Sequence, residues 1–154
     1  MPNTKKECNT NSTIRPIQES DRLHVLDMMR EFYASDAVFT NGSDAIFHAD
    51  IDRCIQGSPY LEGYVFEENN VRLGYAMIAR SYSTEFGKPC IWIEDIYLKS
   101  DCRGRGIGTQ FFRYIENKYP DCVFRLEVEA DNEEALGLYR KCGFSFLPYN
   151  EMIK

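Results

Sequence analysis

A single mixed α/β domain is predicted by three features of the chain. Strand-like runs and helix-like runs are interleaved along almost its whole length. A hairpin signal, Asn69-Asn70, separates two alternating segments, "YLEGYVFEE" and "VRLGYAMIARSYS". A glycine-rich turn, "DCRGRGIG", joins an apolar strand-like run to a helix-like one. At 154 residues the chain suits one hydrophobic core, without linkers or internal repeats.

The elements follow in order. Residues 1–12 are polar and read as a flexible tail, with one domain over 13–154. "STIRPIQES" is a short strand ending at Pro16. Ser20 is placed to cap a helix from about Asp21, with Leu23, Leu26, Met29 and Tyr33 along its apolar stripe. "SDAIFHADIDRCIQG" forms a second helix ending near Gly57. After the hairpin and the breaker "FGKP", "PCIWIEDIYL" is a buried strand. Ile107, Phe111, Phe112, Ile115 and Tyr119 recur at helical spacing until Pro120 stops the run. "CVFRLEVEA" is another strand, and "DNEEALGLYRKCG" a helix with a capping-box pattern at Asp131 and Glu134 and a stop at Gly143. "FSFLPYNEMI" is left for final edge strands.

Charge and cysteine usage narrow the function. The formal net charge of -6 argues against nucleic-acid or anionic-membrane binding as the main role. The six cysteines form no CxxC pair and no His/Cys cluster, so no metal is expected. "MPNTKKECNTNST" has no apolar signal region and no stretch approaches membrane-spanning length, which points to a cytoplasmic protein.

The glycine-arginine turn carries the chemistry. Gly104, Gly106 and Gly108 allow backbone N–H groups to converge at a helix N-terminus, and Arg103 and Arg105 add permanent positive charge. A pyrophosphate suits such a cradle. The GK[ST] of a nucleotide-binding P-loop is missing, and GxGxG is not the dinucleotide GxGxxG fingerprint. A plain glycine-rich turn with solvated arginines is the alternative.

"RGRGIG" from Arg103 to Gly108 matches the R/Q-x-x-G-x-G/A signature of the GCN5-related N-acetyltransferases, and "LEVEADNEEALGLYRKCGF" resembles that family's second acyl-CoA segment. The resemblance runs from Ile14 to Phe144. "IEDIYLKSDCRGRGIG" is most similar to the diamine and polyamine acetyltransferase branch. The resemblance implies a central mixed, mostly antiparallel twisted sheet of six to seven strands with four helices and a splayed, bulged central strand. It implies acetyl-CoA as co-substrate, a small-molecule amine as acceptor and a homodimer. It places coenzyme A against Ile96, Tyr97 and Leu98, the loop Arg103, Gly104, Arg105, Gly106, Ile107, Gly108 and Thr109, and the later Asn132, Ala135 and Tyr139.

Acetyl transfer to an amine needs a neutral nitrogen, yet only about one alkylamine in a few thousand is neutral at pH 7, a handicap of roughly 4–5 kcal/mol. A carboxylate is therefore expected to remove a proton, and an acid to meet the leaving thiolate. Glu94 is the candidate base, against a reading as an edge carboxylate facing solvent. Tyr139 is the candidate acid, against a reading as a core aromatic. Glu94, Asp95, Glu31, Tyr33 and Asp36 are candidates for holding the amine, while Glu127 and Glu129 add negative potential. Because neighbouring strand residues face opposite sides, Glu94 and Asp95 serve one site only if the strand is bulged. Cys102 has no His or Asp partner in the motif and is read as an inert thiol. Two other functions stay open: a non-catalytic CoA-binding regulatory module, and transfer to a protein or peptide amine.

Overall fold

In the computed structural model, which describes residues 11–154, five strands form one sheet in the order β1-β2-β3-β4-β5. The strands are β1 (Thr13–Pro16), β2 (Leu61–Glu68), β3 (Val71–Ser83), β4 (Lys88–Leu98) and β5 (Val123–Leu126). All neighbours are antiparallel except β4 and β5, which run parallel with α3 (Ile107–Lys118) as the crossover. The remaining helices are α1 (Arg22–Tyr33), α2 (Asp44–Gln56) and α4 (Glu133–Lys141).

Alternation along the central strands divides the core in two. Tyr64, Phe66, Ala76, Ile78, Ile91 and Ile93 belong to a cluster with Phe111, Phe112 and Ile115 of α3 and Tyr139 of α4. Val65, Tyr75 and Met77 face the other way and pack with Val25, Leu26, Met28 and Met29 of α1 and Phe47 and Ile51 of α2.

The hairpin forms as expected, with Asn69 and Asn70 both at positive φ, 51° and 63°. The stripe of α1 is shifted from the expected one: Leu23 is 73% exposed, and Val25 and Met28 are buried beside Leu26 and Met29. Ser20 is not the cap. It lies in a 3-10 turn, Glu19–Asp21, in which the Gln18 N–H donates to Asp21 at 2.9 Å. Buried Asp21 also accepts from Arg15 and Arg72 at 2.7 to 2.9 Å, tying this turn to β1 and β3. At α4 the cap is Asn132, whose side chain accepts from the Ala135 N–H at 3.2 Å, rather than Asp131.

Of the tail expected over 1–12, residues 1–10 lie outside the described residues; Ser12 is buried and exchanges hydrogen bonds of 2.7 and 2.8 Å with Gln110 of α3. The six to seven strands expected from the resemblance are five among the described residues. β5 stops at Leu126 where it leaves β4, and residues 142–154 form no strand. Pro148 has no N–H to donate to a ladder, which disfavours this segment as a strand.

Candidate active site

The site starts from an irregularity in β4. Met77 pairs with Asp95 but Ile78 pairs with Ile93, so Glu94 is one residue too many for the β3 ladder. The extra residue exchanges the faces of everything after it. Ile91 and Ile93 belong to the α3 side, but Asp95 is buried and Tyr97 lies in the α1–α2 cluster, while Ile96 and Leu98 pack against the α3 side. The same point marks the end of pairing with β5, whose last partner pair is Ile93 and Leu126. From Glu94 to Leu98 the β4 edge that faced β5 is therefore open, and Ile96, Tyr97 and Leu98 stand along it.

On the α1–α2 side the bulge opens into a cleft of about 240 Å³, lined by Tyr33, Asp50, Tyr60, Leu61, Met77, Ala79, Glu94 and Asp95. The bulge brings Glu94 and Asp95 to one cavity, as the bulged-strand expectation required. Their situations differ. Both oxygens of Asp95 accept phenols, from Tyr33 and Tyr75, at 2.9 Å each. Burial lifts its carboxyl to about 6, the phenols opposing the rise and Glu94 and Asp50 adding to it. Glu94 reaches solvent, yet desolvation raises its carboxyl above the ordinary carboxylate range, with Glu151 and Asp50 contributing. A raised carboxyl beside other carboxyls is suited to accepting a proton from a bound cation.

The remaining acidic candidates lie outside the lining of this cleft. Glu31 accepts the Tyr97 phenol, and Asp36 lies in the exposed turn after α1; neither belongs to the lining. Glu127 is held above its ordinary range by burial and then by a hydrogen bond to Glu151 of the C-terminal segment, with Glu94 adding to the effect. Glu129 is exposed. Trp92 lies outside the lining, with the Arg125 guanidinium 4.6 Å from its ring centroid.

The glycine-arginine turn follows the open edge directly. Gly104 and Gly106 have positive φ, 74° and 83°, and Gly106 precedes the first turn of α3. A Cβ placed on Gly104 would meet nothing within 4 Å, so this backbone is bare on its outer side. The first N–H groups of any helix lack intrahelical acceptors; here they belong to Ile107, Gly108 and Thr109, beside the cationic pair. Gly108 has a second duty, because a Cβ there would lie 2.7 Å from Cδ2 of Leu138, and the helix pair α3–α4 closes over it. Arg103 donates to the Leu98 carbonyl at 3.0 Å and stands 5.9 Å from the Tyr97 ring centroid. Arg105 is held by Glu68, at 2.7 and 2.8 Å. The bare loop, the helix N-terminus and the unpaired β4 edge together fit an extended ligand with an anionic end.

Tyr139 is 9% exposed and makes edge contacts with Phe112 and Phe144. Burial pushes its phenol up to about 12, so it keeps its proton throughout the neutral range. Contrary to the expectation of no acidic partner, the Cys102 thiol donates to Asp101 at 3.3 Å; thiol chemistry is still disfavoured, because burial and that bond raise Cys102, and burial takes Cys54 to about 12. Among the described residues no cluster of His, Cys, Asp and Glu is arranged to hold a metal, and no helix is long and apolar enough to cross a membrane.

Asp50, Tyr60, Tyr75 and Glu151 join the site without having been singled out in the sequence. For Asp50 a signal existed: it shares the spacing of Phe47, Ile51 and Cys54, which form the inward stripe of α2. Tyr75 and Glu151 depend on contacts made far along the chain.

Comparisons with known proteins agree with this geometry. The model of the acetyltransferase (GNAT) family matches residues 26–144. The thialysine N-epsilon-acetyltransferase of Sus scrofa is 29% identical over 144 residues, covering 84% of this chain and 82% of that protein. The N-alpha-acetyltransferase RimI of Mycobacterium tuberculosis is 37% identical over 75 residues, 47% of this chain and 44% of its own. Among solved structures, AAC(6')-Iy in complex with a bisubstrate analog superposes with a TM-score of 0.78 over 94% of this chain and 98% of that one; at 14% identity the likeness is one of fold.

Proposed function

Because the chain belongs to the acetyltransferase (GNAT) family and is an acetyl-CoA-dependent N-acetyltransferase, we propose that its acceptor is a small cationic primary amine, held in the acidic cleft at the β4 bulge. The observation that carries this reading is the cleft itself, in which one bulged residue places Glu94 and Asp95 beside Asp50 within about 240 Å³. Three carboxyl groups around one cavity favour a cation over a neutral or anionic acceptor.

In this reading acetyl-CoA supplies a thioester acetyl group, and the protein supplies position and proton management. The bare turn at Gly104 and Gly106, the first N–H groups of α3 and Arg103 hold the pyrophosphate. The open edge at Ile96, Tyr97 and Leu98 pairs with the pantetheine arm, as a strand would, and Asn132 and Ala135 border its other side. Glu94 takes the proton of the bound ammonium, directly or through water, so that the nitrogen attacks as the free amine. Tyr139 donates to the departing sulfur. Tyr33 and Tyr75 hold Asp95 as a fixed negative charge beneath the amine. A homodimer is supported by the exposed apolar side chains Phe146, Leu147, Tyr149, Met152 and Ile153 of the C-terminal segment.

The test is consumption of acetyl-CoA against a panel of polyamines, diamines, aminoglycosides, free amino acids, thialysine and short peptides. Saturable turnover of a small polycationic or diamine acceptor is expected. Turnover confined to peptides would replace the small-molecule acceptor, and tight CoA binding without turnover of any amine would make the chain a regulatory module.

A further inference from the structure

Asp50 stands out among the carboxylates of α2. Asp44 pairs with Arg30 at 2.8 Å and Asp52 with Arg22 at 2.6 Å. Asp50 has neither a hydrogen bond nor an ion pair among the described residues; Arg53, one turn on, makes only a through-space contribution. It is also the one acid on the inward stripe of the helix, half-buried between the core residues Phe47 and Ile51 and one turn before Cys54. An amphipathic helix normally fills such a position with an apolar side chain. An unpaired carboxylate there costs desolvation and contributes nothing to packing.

The cost makes sense if a ligand supplies the missing partner. Asp50 opens onto the same cleft as Glu94 and Asp95, and the lining includes Tyr33 and Tyr60, whose ring faces suit a cation. Glu94 and Asp95 come from the sheet floor and Asp50 from the helix wall. A cleft of about 240 Å³ has room for a short aliphatic chain.

We propose that Asp50 is a specificity-determining residue, receiving a second positive charge on the acceptor while Glu94 and Asp95 hold the amine that reacts, so that the enzyme selects amines carrying two cationic centres. This rests on the acetyl-transfer reading of the same cleft. Asp50 is not the proton acceptor, although its charge helps raise Glu94, so its larger effect belongs to binding and falls on doubly charged acceptors.

The experiment compares a five-carbon terminal diamine with n-hexylamine, which has the same number of heavy atoms and one charge. Steady-state kinetics are measured at saturating acetyl-CoA for the full chain and for Asp50→Asn and Asp50→Glu, with melting curves to confirm folding. The wild type is expected to favour the diamine. Asp50→Asn should raise its KM about ten-fold or more, the loss of one charge-assisted contact, with a several-fold smaller change in the hexylamine KM and in kcat. Asp50→Glu should restore part of the preference. Equal KM values for the two amines in the wild type, or equal changes for both in Asp50→Asn, would overturn the assignment while leaving acetyl transfer intact. Absence of turnover with either amine and with the whole amine panel would instead overturn the transfer reading, and this assignment with it.

Discussion

The phenol of Tyr33, the last residue of α1, donates to Oδ1 of Asp95, the first residue past the β4 bulge, at 2.9 Å. The Tyr75 phenol occupies the other carboxyl oxygen at 2.9 Å. With both oxygens engaged, Asp95 is a fixed element of the cleft wall, and in our proposal the proton-accepting duty accordingly falls to its neighbour Glu94. The two bonds also tie α1 to β3 and β4 at the point where the sheet opens.

The Asp95 environment has a pH signature. Burial is the main cause that lifts this carboxyl from 3.8 to about 6. A carboxyl with a higher pKa folded than unfolded holds its proton more tightly in the native state. Its contribution to stability is therefore complete below about 4 and is lost as pH rises through about 6. The stability of the wild type relative to Asp95→Asn should accordingly fall between pH 4 and pH 7, by an amount on the order of 3 kcal/mol. Paired thermal melts across that range check it, and a flat difference would remove the assigned titration.

Tyr139→Phe should lower kcat by about one to two orders of magnitude, the scale of one acid–base group. Coenzyme A affinity should stay within about two-fold, because the ring and its contacts with Phe112 and Phe144 are retained. Full activity would return Tyr139 to a packing role.

Arg103→Ala should weaken coenzyme A binding about ten-fold, the size of a lost charge-assisted contact. The difference should shrink as salt is raised, since the guanidinium is solvent-accessible. Calorimetric titration at two ionic strengths measures both. An unchanged dissociation constant would detach the arginine from the pyrophosphate.

Gly74→Ala tests the strand that carries the open edge. A Cβ at Gly74 would lie 2.2 Å from the carbonyl oxygen of Tyr97, a backbone atom that cannot step aside alone. We expect destabilisation of about 1–3 kcal/mol by overpacking. Activity should fall with it, because the displaced segment is the one we propose to pair with the pantetheine arm. Denaturant melts and turnover, measured together, check the coupling.

Local chemistry explains how far the sequence reached. The hairpin at Asn69-Asn70, the left-handed glycines of the loop, the end of α2 at Gly57 and the stop at Gly143 are all written in residues whose backbone preferences act over a few positions. The loop motif likewise needed only its own glycines and arginines. The pairing of Asp95 with Tyr33 and Tyr75 spans 62 and 20 residues, and no periodicity encodes it. The strand count was overestimated because the final segment has strand-like composition, yet pairs with no strand among the described residues.

By itself, then, the sequence determined the α/β class, the order of the elements as far as α4 and the glycine turns of the loop before α3, since each arises from neighbours in the chain. Tertiary structure alone decided that Glu94 is the extra residue of the bulge, that β4 and β5 part after Ile93 and Leu126, and that Asp50 joins Glu94 and Asp95 at one cleft. Those outcomes depend on register between strands and on how helices pack across them, and a one-residue slip in register changes which side chains face the site.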